Sequence, residues 1–405
     1  MTSCLCCGAE VESFLDFGRM PIANGFLTED QFSEEFFFNL EVGVCSSCSM
    51  VQLTELVDRE RMFNENYAFF SSTSIRMAAH FKALAEDLRD RLAGKDDPFV
   101  VEMGSNDGIF LQNFSEWKIR HLGIEPSANV ADVAREKGIR TECRFFDQDF
   151  ADEIVESDGQ ADVFVGANVL CHIPYLESVA EGLRRLLRQD GIAVFEDPYL
   201  GDILERTSYD QIYDEHAFYF STTSLNGFFA NYGLEVIDVL PQEVHGGSMR
   251  SILGHRGKHV VSDRVREQLA REAGLGLDKP ETYARFRDRV ERSRDGLMKT
   301  LEALKGEGSR VVGYGATSKS TTVTNYCGIT TDLVAFISDT TPIKQGKFCP
   351  GVHIPVKPYD AFSANYPDVA LLFAWNHSIE IMEKEVAYRE AGGRWLNYVP
   401  EVKLT

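Results

Sequence analysis

The stretch Pro98-Phe99-Val100-Val101-Glu102-Met103-Gly104-Ser105-Asn106-Asp107-Gly108 decides the fold. A short apolar strand runs into a turn bounded by glycines, and a helix begins near Ile109. Glycine lets backbone approach a ligand closely at a helix N-terminus. A second strand, His121-Leu122-Gly123-Ile124, ends in Glu125, twenty-one residues beyond Gly104. A carboxylate at that distance suits the two hydroxyls of a ribose. Further strands follow at 162–170 and 191–196, with a basic amphipathic helix from Leu176 to Arg188 between them. This alternation is that of an α/β fold with a doubly wound parallel sheet. The turn has two glycines where a dinucleotide fingerprint has three, so the pattern alone does not name the ligand.

Upstream, four of the nine cysteines form two C-x-x-C pairs, with Cys4 and Cys7 in the first and Cys45 and Cys48 in the second. Such knuckles put four thiolates around one tetrahedral ion, which folds a segment too small for a core of its own. Cys6 lies inside the first knuckle and does not match the spacing of the second pair. With every position filled by sulfur, the expected zinc is structural. Cys143, Cys171, Cys327 and Cys349 stand alone and read as small buried hydrophobes. An aromatic stretch, 62–74, then leads to a helix from about Arg76 to Leu92. Phe69 and Phe70 suit packing between domains, while Tyr67 is open to either packing or function.

Downstream, the character changes near Asp238. Residues 244–251 read as a polar loop and 263–305 as a charged pair of helices. A second strand-glycine-helix unit begins at Ser309-Arg310-Val311-Val312-Gly313-Tyr314-Gly315-Ala316, followed by a strand at 333–337 ending near Asp339. The expected domains are 1–74 (zinc-binding), 75–240 (central α/β) and 241–405 (second Rossmann-like unit).

A chain of 405 residues exceeds one hydrophobic core, and its 44% apolar and 26% charged residues are those of a globular protein. The formal charge of −22 argues against nucleic acid or an anionic membrane as partner. No apolar run is long enough to cross a bilayer, and no leader-like start is present, so a cytoplasmic location is expected. Oligomeric state leaves no trace in the sequence.

Glu102 before the turn and Glu125 after the second strand resemble S-adenosylmethionine methyltransferases more than NAD enzymes. The order of modules is similar to that of the three-domain sugar C-methyltransferases acting on nucleotide-linked 4-keto deoxysugars. Motifs carrying the resemblance include the cysteine pairs, 20–24, Tyr67, 102–108, His172 after Asn168-Val169-Leu170, Tyr213-Asp214-Glu215-His216, His245-Gly246-Gly247-Ser248, 313–316 and Asp339 with Lys344 and Lys347. The resemblance implies S-adenosylmethionine and structural zinc as cofactors. It places Glu102 near the cofactor's methionine end and Glu125 on its ribose, with Gly104, Asn106, Asp107 and Asn168 completing that site. It surrounds a small-molecule nucleotide sugar, dTDP-linked, with Tyr67, His172, Tyr213, Glu215 and His216.

The chemistry needs such groups. A base must take the proton beside a ketone while a donor stabilises the growing oxyanion, and holding carbon and methyl in contact supplies further acceleration. Among residues 213–219, His216 alone has an ordinary pKa near neutrality. It is the leading base, with Glu215 orienting it, Tyr213 donating to a sugar oxygen, and His172 as rival base or keto-oxygen ligand. Lys319, Lys344, Lys347 and Arg250 are candidate partners for a diphosphate, or else solvated cations. Two other readings stand beside this one: methylation at carbon or oxygen of another natural-product intermediate, and a zinc-stabilised binding scaffold.

Overall fold

The computed structural model describes residues 2–62 and 75–405. The aromatic stretch that includes Tyr67 lies outside the described residues. The N-terminal module is an antiparallel sheet of β1 (Thr2–Ser3), β2 (Glu10–Pro21), β3 (Phe37–Cys45) and β4 (Val51–Leu53). A helix, Ile75–Arg91, leads into the central domain.

In the central sheet β5 (Phe99–Met103), β6 (Arg120–Ile124), β7 (Thr141–Glu142), β8 (Ala161–Ala167) and β9 (Leu187–Pro198) are parallel neighbours. Side chains alternate across each strand. Phe99, Val101 and Phe164 therefore pack on one face, against Phe150 and Leu183. Val100, Val163 and Val165 pack on the other, against Leu84, Leu88 and Phe114.

Two features differ from the sequence expectation. The residues read as a polar loop over 244–251 form a loop only to Gly247. Ser248 then opens a buried strand that extends the central sheet past residue 240. After β10 (Phe218–Tyr219), strands β11 (Leu234–Gln242) and β12 (Ser248–His255) form a hairpin, and β12 runs antiparallel to β9. The sheet is accordingly mixed, in the order β11-β12-β9-β8-β5-β6-β7. A connection of five residues is too short for a parallel crossover and long enough for a hairpin. The polar sequence misled because Arg250 sits in the strand with its charge met by a buried carboxylate.

The third domain begins with helices Asp263–Leu275 and Pro280–Gly306, separated by Gly276 in the left-handed region, φ 69°, and by a proline at the first turn of the second helix. Its sheet holds β13 (Val311–Tyr314), β14 (Ile337–Ser338), β15 (Val356–Lys357), β16 (Val369–Leu372), β17 (Arg394–Asn397) and β18 (Lys403–Leu404). Of the strand expected at 333–337, only Ile337 falls within β14, although the Ala335 N–H and the Phe336 carbonyl already bond to β13. No helix among the described residues is long and apolar enough to cross a membrane.

The modules share core and hydrogen bonds. Leu15, Phe17 and Val42 of the first pack in one cluster with Tyr209 and Ile212 and with Phe286, Val312 and Leu371 of the third. Strand β10 joins the N-terminal sheet beside β4. The carboxylate of buried Asp210 accepts from Trp375 Nε1 and from the Tyr398 hydroxyl, each at 2.6 Å. Asp210→Ala would leave both donors without that acceptor, at a cost of about 2–5 kcal/mol. A urea midpoint equal to that of the parent protein would contradict this account.

Candidate active site

The cofactor side is built by the turn after β5. Gly104 and Ser105 donate to the Ile124 carbonyl at 2.8 and 3.1 Å, which folds the turn against the end of β6. Gly104 has φ 67°, and a Cβ there would meet Val169 at 2.7 Å; Gly108 has φ 80° and would meet Ile139 at 2.2 Å. Strain and crowding both demand glycine at these positions. Asn106 takes φ 48°, a conformation its side-chain type tolerates.

Glu125 holds this turn from the end of β6. Its two carboxylate oxygens accept the N–H groups of Asn106 at 3.0 Å and Ser127 at 2.8 Å. Each oxygen keeps a second lone pair, so the fixed carboxylate can take a pair of hydroxyls. Burial pushes its pKa up, and the N–H groups of Ser127 and Asn106 oppose that shift.

One cavity is lined by Gly104, Asn106, Glu125 and Asn168, together with His172, His245 and the apolar Met103, Ile124 and Phe146. Asn168 sits at φ 53°, with its N–H on the Glu196 carbonyl at 2.6 Å. Glu102, within β5, and Asp107, within the turn itself, are not among the lining residues. Asp107 is bridged by Lys137, whose Nζ reaches its carbonyl at 2.8 Å and its carboxylate at 3.2 Å. Glu102 is buried, and its Oε2 has no hydrogen-bond partner among the described residues. Burial pushes its pKa well above the ordinary value, and Glu125 and Asp107 add to that. The Glu125 carboxylate, on the cavity wall, suits the ribose of S-adenosylmethionine, whereas Glu102 does not line the cavity.

Beside His172 lies the stretch 209–219, buried throughout. His216 Nδ1 lies 2.9 Å from the Gln211 carbonyl. A carbonyl only accepts, so Nδ1 carries the proton and the lone pair is on Nε2. That Nε2 is buried without a hydrogen-bond partner among the described residues. The ring stacks on His172, with centroids 5.2 Å apart and planes at 18°, and Tyr213 is 4.2 Å away. His172 thus links the cofactor cavity to His216.

Burial drives the histidine pKa values down. His172 falls to about 3, with His245 as a second cause, and His245 falls to about 4, with Lys319 as its second cause. His216 is held well below the ordinary value by burial, then by His172 and Lys319. All three imidazoles are therefore neutral at pH 7. Asp214 is pushed up to about 8 by burial and by Glu215, and it accepts the Ala23 N–H at 2.8 Å. Burial raises the pKa of Glu215, while the Asn24 amide, 2.6 Å away, Lys344 and Lys319 oppose the rise. Glu215 thus lies next to Asn24 rather than against His216.

The expected cations separate. Lys319 belongs to the first turn of helix Ser318–Cys327, which is tied to the site through Thr321 Oγ1 on the Ala23 carbonyl, 2.8 Å, and Thr322 Oγ1 on the Ile212 carbonyl, 3.1 Å. Burial lowers the pKa of Lys319 against the pull of Asp210 and Glu215. Lys344 donates to the Ala316 carbonyl at 2.8 Å and lies over the Phe26 ring. Arg250 is committed elsewhere: its Nε is 2.8 Å from Glu196, which also meets His80 at 2.5 Å. In the third domain, Asp339 accepts the N–H groups of Ala316 and Thr341, each at 2.7 Å, so this carboxylate braces its own glycine turn.

Arg59 and His245 are among the lining residues that sequence reasoning did not assign to the site. Arg59 enters from the N-terminal module, stacked over Phe145 at 4.1 Å and Tyr175 at 4.7 Å. His245 carried a signal, its place before two glycines, and it adopts φ 54° at the cavity wall.

The thiols of Cys4, Cys7, Cys45 and Cys48 all lie within 4.8 Å of one another, with Cys4 and Cys48 at 3.6 Å and Cys7 and Cys45 at 3.5 Å. Four sulfurs so grouped fit a closed tetrahedral zinc site. Cys6 stands outside the group and donates its N–H to the Cys4 sulfur at 3.4 Å. Of the isolated cysteines, Cys171, Cys327 and Cys349 are buried and Cys143 is half-buried.

The fold and this cofactor cavity define an S-adenosylmethionine-dependent methyltransferase. Family models match residues 4–63 ("Putative zinc binding domain"), 77–239 ("Methyltransferase domain") and 243–400 ("C-methyltransferase C-terminal domain"). The C-methyltransferase NovU of Streptomyces niveus is 34% identical over 406 residues, covering 99% of this chain and 96% of that protein. The chain belongs to this family of C-methyltransferases. A methyltransferase from Anabaena variabilis aligns at 16% identity and TM-score 0.36 over 44% of this chain and 86% of its own. Magnesium protoporphyrin IX methyltransferase of Synechocystis aligns at 12% and 0.32, over 48% and 88%.

Metal analysis checks the zinc set. The purified protein should hold one zinc per chain, Cys6→Ser should retain it, and Cys7→Ser should lose most of it and melt at a lower temperature. Equal zinc content in both variants would contradict the assignment.

Proposed function

We propose that this C-methyltransferase acts on the carbon next to the ketone of a nucleotide-linked 4-keto deoxysugar, dTDP-linked, in the biosynthesis of deoxysugars for antibiotics. The reading is carried by His216, a neutral imidazole with its proton anchored on a carbonyl and its lone pair on a buried nitrogen, next to a wall of the cofactor cavity. His216 Nε2 takes the acidic proton, and the electron pair of that C–H bond moves into the carbonyl. His172, at the cavity wall, orients the keto oxygen, and Tyr213 donates to a sugar oxygen. Tyr67, outside the described residues, is assigned to the same cleft on the resemblance alone. Bound S-adenosylmethionine supplies an electrophilic methyl group to the resulting carbanion. Glu125 with Gly104, Asn106 and Asn168 hold this cofactor, while Glu102 and Asp107, next to this site in the chain, do not line the cavity.

Glu215 is reassigned from orienting His216 to balancing charge, because its contacts are Asn24 and the lysines. Lys319 and Lys344 face Glu215 and suit a diphosphate in an otherwise acidic protein. The occupied guanidinium of Arg250 favours the second reading, an acceptor without a diphosphate, since one expected cation is missing from that cleft.

Incubation with methyl-labelled cofactor and dTDP-linked 4-keto sugars should place the label on carbon; label on oxygen or nitrogen alone would refute the proposal. In His216→Asn, exchange of the acceptor's alpha hydrogen with solvent should vanish while calorimetry still detects cofactor binding. Undiminished exchange would move the base to His172 or Tyr213. Lys319→Met should raise KM for the nucleotide sugar by at least about tenfold, the worth of one charged hydrogen bond. An unchanged KM would remove the diphosphate from this end of the cleft.

A further inference from the structure

Cys171 is the isolated cysteine that stands beside the imidazoles of the acceptor cleft. It shares the turn Leu170–His172 with His172, so both side chains issue from adjacent residues at the end of β8. The Cys171 sulfur and one ring nitrogen each from His172 and His216 all lie within 4.8 Å of one another. His216 brings a buried Nε2 without a hydrogen-bond partner among the described residues. Next to them, buried Asp197 accepts the Cys171 N–H at 3.1 Å and contributes negative charge.

We propose that Cys171, His172 and His216 form a second cation site, separate from the four-cysteine site, which takes zinc or a similarly soft divalent ion and silences the enzyme when filled. One sulfur and two imidazole nitrogens suit a borderline-soft ion, whereas magnesium and calcium seek oxygen. Donors on one tetrahedral zinc stand about 3.3–3.7 Å apart, so these side chains need close by only about 1 Å. On binding, the Cys171 thiol proton leaves to solvent and the thiolate donates an electron pair. The fourth vertex is left to water, as in zinc sites with three protein ligands.

Silencing follows from electron counting. His216 has its proton on Nδ1 and a single lone pair on Nε2. That pair cannot hold zinc and accept a proton from carbon at once. This half of the inference rests on the base assignment above, whereas binding itself does not.

Calorimetric titration of the zinc-containing protein with Zn²⁺ alone tests the site. A further binding event of one equivalent is expected, weakened by about tenfold or more in both Cys171→Ser and His172→Gln. Circular dichroism and the melting temperature of each variant report that it is folded. Absence of that event, or affinities in both variants equal to the parent's, would overturn the site. With a 4-keto sugar accepted by the parent enzyme, Zn²⁺ at saturation of the second equivalent should abolish exchange of the alpha hydrogen. If the ion binds and exchange continues, silencing is overturned and with it His216 as base, while the site stands.

Discussion

Burial of the stretch from Tyr209 to Tyr219 is the constraint on which the rest depends. It carries Asp210, Asp214, Glu215 and His216 into an interior without bulk water, where every polar group left unpaired costs free energy. The partners come from three directions: Trp375 and Tyr398 for Asp210, Ala23 and Asn24 for the next two carboxylates, and the local Gln211 carbonyl for His216. Satisfying one segment therefore docks the N-terminal and C-terminal modules onto the central one. Strand β10 and the helix carrying Lys319 reinforce the joint from either side.

The same burial sets the electrostatics. Removing water penalises the charged forms of His172, His216 and His245, so imidazole lone pairs are available at neutral pH. It also separates two adjacent acids. Asp214 is pushed toward its protonated form against a backbone N–H, whereas the lysines favour a charged Glu215. One charge of a neighbouring pair is thereby avoided, which costs less than burying both.

At the cofactor side the backbone carries the design. Gly104 and Gly108 sit where a Cβ would strike Val169 and Ile139, and Glu125 fixes the turn by accepting two N–H groups. In the third domain Asp339 performs the equivalent bracing on the turn at Ala316. The helix that follows contributes Thr321, Thr322 and Lys319 to the joint with the other modules.

The sequence by itself determined the elements whose signals are local. Glycine spacing, the strand-end Glu125 and the paired cysteines are short-range requirements of backbone geometry and ligand count, so they are legible without a fold. The tertiary structure alone decided what depends on contacts between distant residues. It turned the second half of the apparent polar loop at 244–251 into the start of the buried strand Ser248–His255, because Glu196 meets the charge of Arg250. It moved Glu215 away from His216 and toward Asn24, and it brought Arg59 and His245 to the cavity wall. It also placed Cys171 beside two imidazoles, one of them 45 residues away in the chain. Pairing energies between buried charges are set by three-dimensional neighbours, and no window along the chain contains them.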